Sequence, residues 1–136
     1  MAVDDFGHHP TAIRVTLQAL LQRYPGRRPV LVFEPRSATS RRAVFQREYA
    51  EVLAAAPRVF LAPAYDPSRI APDQRLDLAR LATDITAAGA RVTAHPDFAE
   101  LLAVLRDEAR EGDLVVFFSS GAMGGIKHEF ARGLAS

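Results

Sequence analysis

The chain has 136 residues, 49% hydrophobic and 8% aromatic, with 17 Lys+Arg against 16 Asp+Glu and no cysteine. A chain of this length folds as one domain, here residues 1–136, and removes roughly 70% of its unfolded surface from water, so its core needs no staple. Balanced charge argues against a general nucleic-acid binder, and zero Cys excludes a disulfide framework, a thiolate zinc site, an iron–sulfur cluster and a cysteine nucleophile. No apolar run reaches the roughly 18–20 residues of a membrane helix, and the start Met1-Ala2-Val3-Asp4-Asp5 has no signal-peptide character, so a cytoplasmic location is expected.

Apolar periodicity switches repeatedly between strand-like and helix-like, the pattern of an α/β domain. A short strand over residues 2–6 runs into Gly7-His8-His9-Pro10, where Pro10 suits the first turn of a helix because its missing N–H would go unbonded there. Ile13, Leu17, Leu20, Leu21 and Tyr24 form one apolar stripe, and Pro25-Gly26 ends that helix. Pro29-Val30-Leu31-Val32-Phe33 reads as a strand buried on both faces, hence parallel-paired. A helix over residues 40–56 buries Phe45, Tyr49, Val52 and Leu53, and a third strand covers residues 58–62. The proline-rich stretch 63–73 is the longest irregular segment. A helix over 76–88 stops at Gly89, a strand covers 91–94, and a helix capped by Asp97 carries Leu101, Leu102 and Leu105 toward Gly112. Leu114-Val115-Val116-Phe117-Phe118 is the most strand-like run, followed by Ser119-Ser120-Gly121-Ala122-Met123-Gly124-Gly125 and a final helix over 126–134. The expected fold is a Rossmann-like α/β domain, a mostly parallel sheet of about five to six strands with helices on both faces.

Ligands of such sheets sit beyond the carboxyl ends of the strands, where loops and helix N-termini present backbone N–H groups. Three polar segments fall there, 4–10, 34–42 and 119–125. In the first, Asp4 and Asp5 suit a ribose diol or a magnesium-bound water, and His8 can work near neutral pH or donate to a phosphate; the alternative is a capped turn. Two adjacent histidines are too few for a transition-metal site. In the second, Arg36 behind Pro35 is suited to grip a carboxylate with two parallel hydrogen bonds, supported by Ser37 and Thr39; the alternative is that Thr39 or Ser40 caps the helix while Arg41 and Arg42 are solvated. The third has neither GxGxxG nor GxxxxGK[ST] spacing, so it is no nucleotide fingerprint, although its glycines allow close approach to an anion.

Three stretches, Asp4-Asp5-Phe6-Gly7-His8-His9-Pro10-Thr11-Ala12-Ile13, Phe33-Glu34-Pro35-Arg36-Ser37-Ala38-Thr39 and Ser120-Gly121-Ala122-Met123-Gly124-Gly125-Ile126, together resemble the Mur ligase family over nearly the whole chain. The Pro-Arg-Ser-x-Thr loop is most similar to the family's murein peptide ligase branch, and the L-alanine-adding branch shares the first motif. Gly7 stands where the murein peptide ligase branch has alanine, and Ser119 to Met123 departs from its Ser-Asn-Gly-Gly-Phe. The resemblance implies the third, carboxyl-terminal domain of an ATP- and Mg2+-dependent amide ligase, with the P-loop and the UDP-sugar site on the other two domains and no cofactor held by this domain alone. It implies an acyl phosphate on the UDP-N-acetylmuramate carboxylate, attacked by the amine of an L-Ala-γ-D-Glu-meso-diaminopimelate tripeptide in peptidoglycan recycling. It places Asp5 and Phe6 at the nucleotide, His8 near the reacting groups, and Arg36, Ser37, Thr39, Ser120, Gly121, Gly124 and Gly125 around the incoming peptide. The implied partners are that peptide, ATP and the remaining domains, with no nucleic acid and no membrane. The alternatives are a free-standing Rossmann-like binding module or the same domain of the family's L-alanine-adding ligase, and a small enzyme using His8 and Asp5 is a more remote one.

Overall fold

The computed structural model describes residues 2–5, 9–34, 46–62, 78–94, 98–110 and 112–118. Its elements alternate as β1 (Ala2–Asp5), α1 (Pro10–Arg23), β2 (Pro29–Phe33), α2 (Gln46–Leu53), β3 (Arg58–Leu61), α3 (Leu78–Ala87), β4 (Arg91–Ala94), α4 (Phe98–Glu108) and β5 (Leu114–Phe118). The expected strands and helices are present within the described residues, but the helix expected to reach residue 56 ends at Leu53, where the chain turns. The helix starts expected at 40 and 76, the Asp97 cap, the 63–73 stretch and the final helix fall outside them.

Five strands, all parallel, lie in the order β1-β5-β2-β3-β4. Because every strand points the same way, every carboxyl end reaches one edge of the sheet. The central strands β2, β3 and β5 are almost wholly buried, which is why they read in sequence as unbroken apolar runs rather than alternating ones.

Alternation along each strand divides the core in two. Leu31, Phe33, Val59, Leu61, Leu114, Val116 and Phe118 face α1, α2 and α3, meeting Ile13, Leu17, Tyr49, Leu53, Leu81 and Ile85. Val30, Val32, Phe60, Ala62, Val115 and Phe117 face α4, meeting Leu101, Leu102 and Leu105. The chain steps in one direction across the sheet through β2, β3 and β4, then returns to insert β5 between β1 and β2. Right-handed crossovers that reverse direction must change face, so α4 lies opposite the other three helices.

Local chemistry sets the helix ends. His9 caps α1, its Nδ1 accepting a hydrogen bond from the Thr11 N–H at 3.2 Å, and Pro10 occupies the first turn, as its sequence position predicts. At the end of α3, Gly89 takes φ +106, and the Ala88 and Ala90 N–H groups both donate to the Ile85 carbonyl, at 3.1 and 3.3 Å.

Candidate functional site

The return of β5 into the middle of the sheet builds the candidate site. Asp5, the last residue of β1, is in register with Phe118, the last residue of β5, and Phe118 is in register with Phe33, the last of β2. Adjacent strands are about 4.8 Å apart, so the ends of β1 and β2 stand about 10 Å apart with β5 between them, a span suited to one small ligand. The backbone is tied at this edge: Glu34 N–H donates to the Phe118 carbonyl at 3.1 Å, and Ala62 N–H to the Phe33 carbonyl at 2.9 Å. Four residues separate the end of β1 from the first residue of α1, whose N-terminal N–H groups favour negative charge. The three polar segments singled out in the sequence thus leave the sheet from three neighbouring strands.

Of the sequence-predicted site residues, Asp5 is described through its backbone alone, at the carboxyl end of β1. Phe6, His8, Arg36, Ser37, Thr39, Ser120, Gly121, Gly124 and Gly125 lie outside the described residues. Glu34, which sequence reasoning left as the first residue of a loop, is 3% exposed at this edge. The signal that could have marked it is an acidic residue directly between a buried apolar run and a proline. Among the described residues, no group of three or more His, Asp or Glu comes together as a metal site.

The opposite, amino-terminal edge holds a charged cluster that sequence reasoning also missed. The Arg58 side chain is 4% exposed; its Nε donates to Glu108 Oε2 at 2.6 Å, its Nη2 to Thr93 Oγ1 at 2.6 Å, and its Nη1 to the carbonyls of Val59 and Arg91 at 3.2 and 3.1 Å. The guanidinium also lies 4.1 Å from the centroid of the Phe60 ring. Arg91 reaches the other oxygen of Glu108 at 3.3 Å. Beside this group, Arg28 grips Asp113 with two parallel bonds, at 3.1 and 2.7 Å, and the Arg110 N–H adds a third at 2.8 Å. Hydrogen bonding from Arg58 and the surrounding arginines hold the Glu108 carboxyl below its usual range, and Asp113 is also held low because its donors outweigh the burial that opposes them. The hydrogen bond to Asp113 leads the effects that raise the Arg28 pKa. A cavity of about 290 Å³ opens here, lined by Arg28, Arg58, Arg91, Asp107, Glu108 and Arg110 among others. It lies at the strand starts, and its buried charges are matched to each other, so it ties the sheet to the end of α4.

A wholly parallel sheet with helices on both faces defines a Rossmann-like α/β domain. The match goes further: the family described as Mur ligase, glutamate ligase domain covers residues 1–121, and the chain belongs to that family. It is 35% identical over 121 residues to a UDP-N-acetylmuramate–L-alanine ligase of Lactobacillus delbrueckii subsp. bulgaricus, covering 89% of this chain and 25% of that protein. The chain therefore spans about a quarter of the curated relatives it matches. A domain from a protein described as a UDP-N-acetylmuramate:L-alanyl-γ-D-glutamyl-meso-diaminopimelate ligase of Haemophilus ducreyi 35000HP superposes with a TM-score of 0.70 at 28% identity, covering 98% of this chain and 89% of that one. A murein peptide ligase of Psychrobacter arcticus 273-4 shares the fold, with a TM-score of 0.78 at 24% identity over 98% of this chain and 27% of that one.

Proposed function

We propose that this chain acts as the carboxyl-terminal domain of an ATP-dependent amide ligase that joins UDP-N-acetylmuramate to the L-Ala-γ-D-Glu-meso-diaminopimelate tripeptide in peptidoglycan recycling. The observation that supports this reading is the adjacency of β1, β5 and β2, which sends the nucleotide-type motif after β1 and the carboxylate-type motif after β2 out of the sheet about 10 Å apart. In this reading Asp5 and Phe6 take the ribose and base of ATP, His8 lies near the reacting groups, and Arg36 pairs with a peptide carboxylate. Ser37, Thr39, Ser120 and the glycines 121, 124 and 125 line the rest of the peptide pocket. Bound ATP and Mg2+ supply the phosphoryl group and charge neutralisation that activate the muramyl carboxylate; both are held chiefly by the other domains. The role of this chain is to present the amine to that carboxylate and to exclude water from the acyl phosphate.

A second reading, addition of free L-alanine, is favoured by the names of the curated relatives at 33–35% identity. The Pro35-Arg36-Ser37-x-Thr39 loop supports the tripeptide instead. The test is a ligation assay on the ligase carrying all three domains, with UDP-N-acetylmuramate, ATP, Mg2+ and either amine. A tripeptide kcat/KM well above that for L-alanine supports the proposal, and the reverse order overturns it in favour of the second reading. The 136-residue chain by itself contains no GxxxxGK[ST] segment, and we expect it to form no amide with all substrates present. Measurable ligation by the chain alone would refute that division of labour.

A further inference from the structure

The cavity at the amino-terminal edge holds donors that the ties between its own residues leave unused. A guanidinium donates through Nε and both Nη atoms. In Arg58 all three nitrogens are engaged, by Glu108, Thr93 and the carbonyls of Val59 and Arg91, so that residue is structural. Arg28 directs Nε and Nη2 at Asp113, with Nη2 also 3.4 Å from the Glu108 carbonyl oxygen. The fork geometry turns its Nη1 away from that carboxylate, and Nη1 meets no hydrogen-bond acceptor among the described residues. The Arg91 side chain makes a single contact, from Nη2 to Glu108 Oε1 at 3.3 Å, and is 76% exposed. Arg110 ties its main-chain N–H to Asp113, while its guanidinium meets no hydrogen-bond acceptor among the described residues.

Arg28, Arg91 and Arg110 line the same volume of about 290 Å³ and reach it from three places: just before β2, the start of β4 and just beyond α4. Shared carboxylate residues gather them there, since Arg28 and Arg91 both contact Glu108, and Arg28 and Arg110 both donate to Asp113. With Arg58 included, four guanidiniums face the carboxylates of Asp107, Glu108 and Asp113, so cationic charge is in excess among the described residues. Water satisfies exposed N–H groups, so their openness is no strain; their convergence on one concavity is what favours an anion. A carboxylate offers two oxygens in one plane, which a single guanidinium can grip. Donors arriving from three directions instead match the tetrahedral oxygens and higher charge of a phosphate group. The volume is at the small end for a ligand pocket, which suits a phosphate or a small phosphorylated molecule.

We propose that this cavity binds a phosphate-class oxyanion, gripped by Arg28 Nη1 and the guanidinium heads of Arg91 and Arg110. The site lies a strand's length, about 13–16 Å, from the candidate site at the opposite edge, and it does not depend on the function proposed above. The test is titration of the 136-residue chain with inorganic phosphate at about 50 mM NaCl, followed by NMR at the arginine Nε–H and backbone amide signals. The expected result is saturable one-to-one binding with Kd of about 1 mM or tighter and the largest shifts at Arg28, Arg91 and Arg110. Arg91→Gln and Arg110→Gln should each weaken binding about tenfold or more, the factor a charged hydrogen bond carries. Both variants should melt within about 4 °C of wild type, because both side chains are exposed and neither is a partner in the Arg58–Glu108 or Arg28–Asp113 pair. Asp107→Asn removes a like charge from the lining and should tighten binding about two- to fivefold, a gain that a purely structural cluster would not show. Arg14→Gln, which removes an exposed cation from α1, should leave Kd within about twofold of wild type. Glycerol phosphate separates the sources: binding tighter than that of inorganic phosphate assigns a phosphorylated small molecule, and equal or weaker binding assigns free phosphate. The proposal is overturned by no saturation below about 10 mM, by shifts confined to the carboxyl-terminal edge, by malonate binding as tightly as phosphate, or by an Arg14→Gln effect equal to that of Arg110→Gln.

Discussion

Removing the Glu108 carboxylate tests whether the amino-terminal edge is held by charge pairing. Arg58 is 4% exposed at its side chain and Glu108 25%, so Glu108→Ala strands a buried guanidinium while leaving water limited access. Breaking a buried pair by removing one partner costs about 3–5 kcal/mol, and the partial exposure of Glu108 places this case near the lower end. Arg58 keeps its bonds to Thr93 and two carbonyls, which limits the loss further. The Arg91 contact adds little, because that side chain is 76% exposed and an exposed pair contributes about 0–1 kcal/mol. A loss of about 2–3 kcal/mol shifts the midpoint by about 4 °C per kcal/mol for a domain of this size, giving a fall of about 8–12 °C by calorimetry. Replacing both partners, Arg58→Met with Glu108→Leu, should recover most of that loss, since the remaining groups are no longer asked to solvate a lone cation. A Glu108→Ala protein melting within about 2 °C of wild type, with a coupling to Arg58→Met below about 0.5 kcal/mol, would refute the reasoning.

Asp113 and Glu108 both titrate below their ordinary values in the folded state, so they add stability above about pH 4 that is lost as pH falls through their lowered folded values. Urea unfolding from pH 6 to pH 2 should show a steep loss below about pH 4, and Asp113→Asn should flatten it while lowering stability at pH 6; an unchanged slope contradicts the assignment. Gly89→Ala should destabilise by about 1–2 kcal/mol through backbone strain at φ +106, since open space surrounds the added Cβ; equal midpoints in urea would argue against that φ. In the complete ligase, Arg36→Ala should raise KM for the amine substrate far more than for ATP, by the roughly 1.5–3 kcal/mol of a charged hydrogen bond, and unchanged amine kinetics would remove Arg36 from the site.

Several features were legible in the sequence because they are local. Pro10 and Pro25-Gly26 bound α1, Gly89 ends α3, and the unbroken run 114–118 is a strand buried on both faces because no polar residue interrupts it. The motifs after β1 and β2 were equally visible, being contiguous stretches of chain. Tertiary structure decided what contiguity cannot encode. Inserting β5 between β1 and β2 is a long-range pairing choice, and it alone makes the three polar segments neighbours. Arg58 and Glu108 are 50 residues apart and Arg28 and Asp113 85 apart, so no spacing rule links them. In the sequence Arg58 is only the first residue of a strand. It is buried because the same alternation that sends Phe60 to the α4 side brings it beneath the end of that helix, where Glu108 waits.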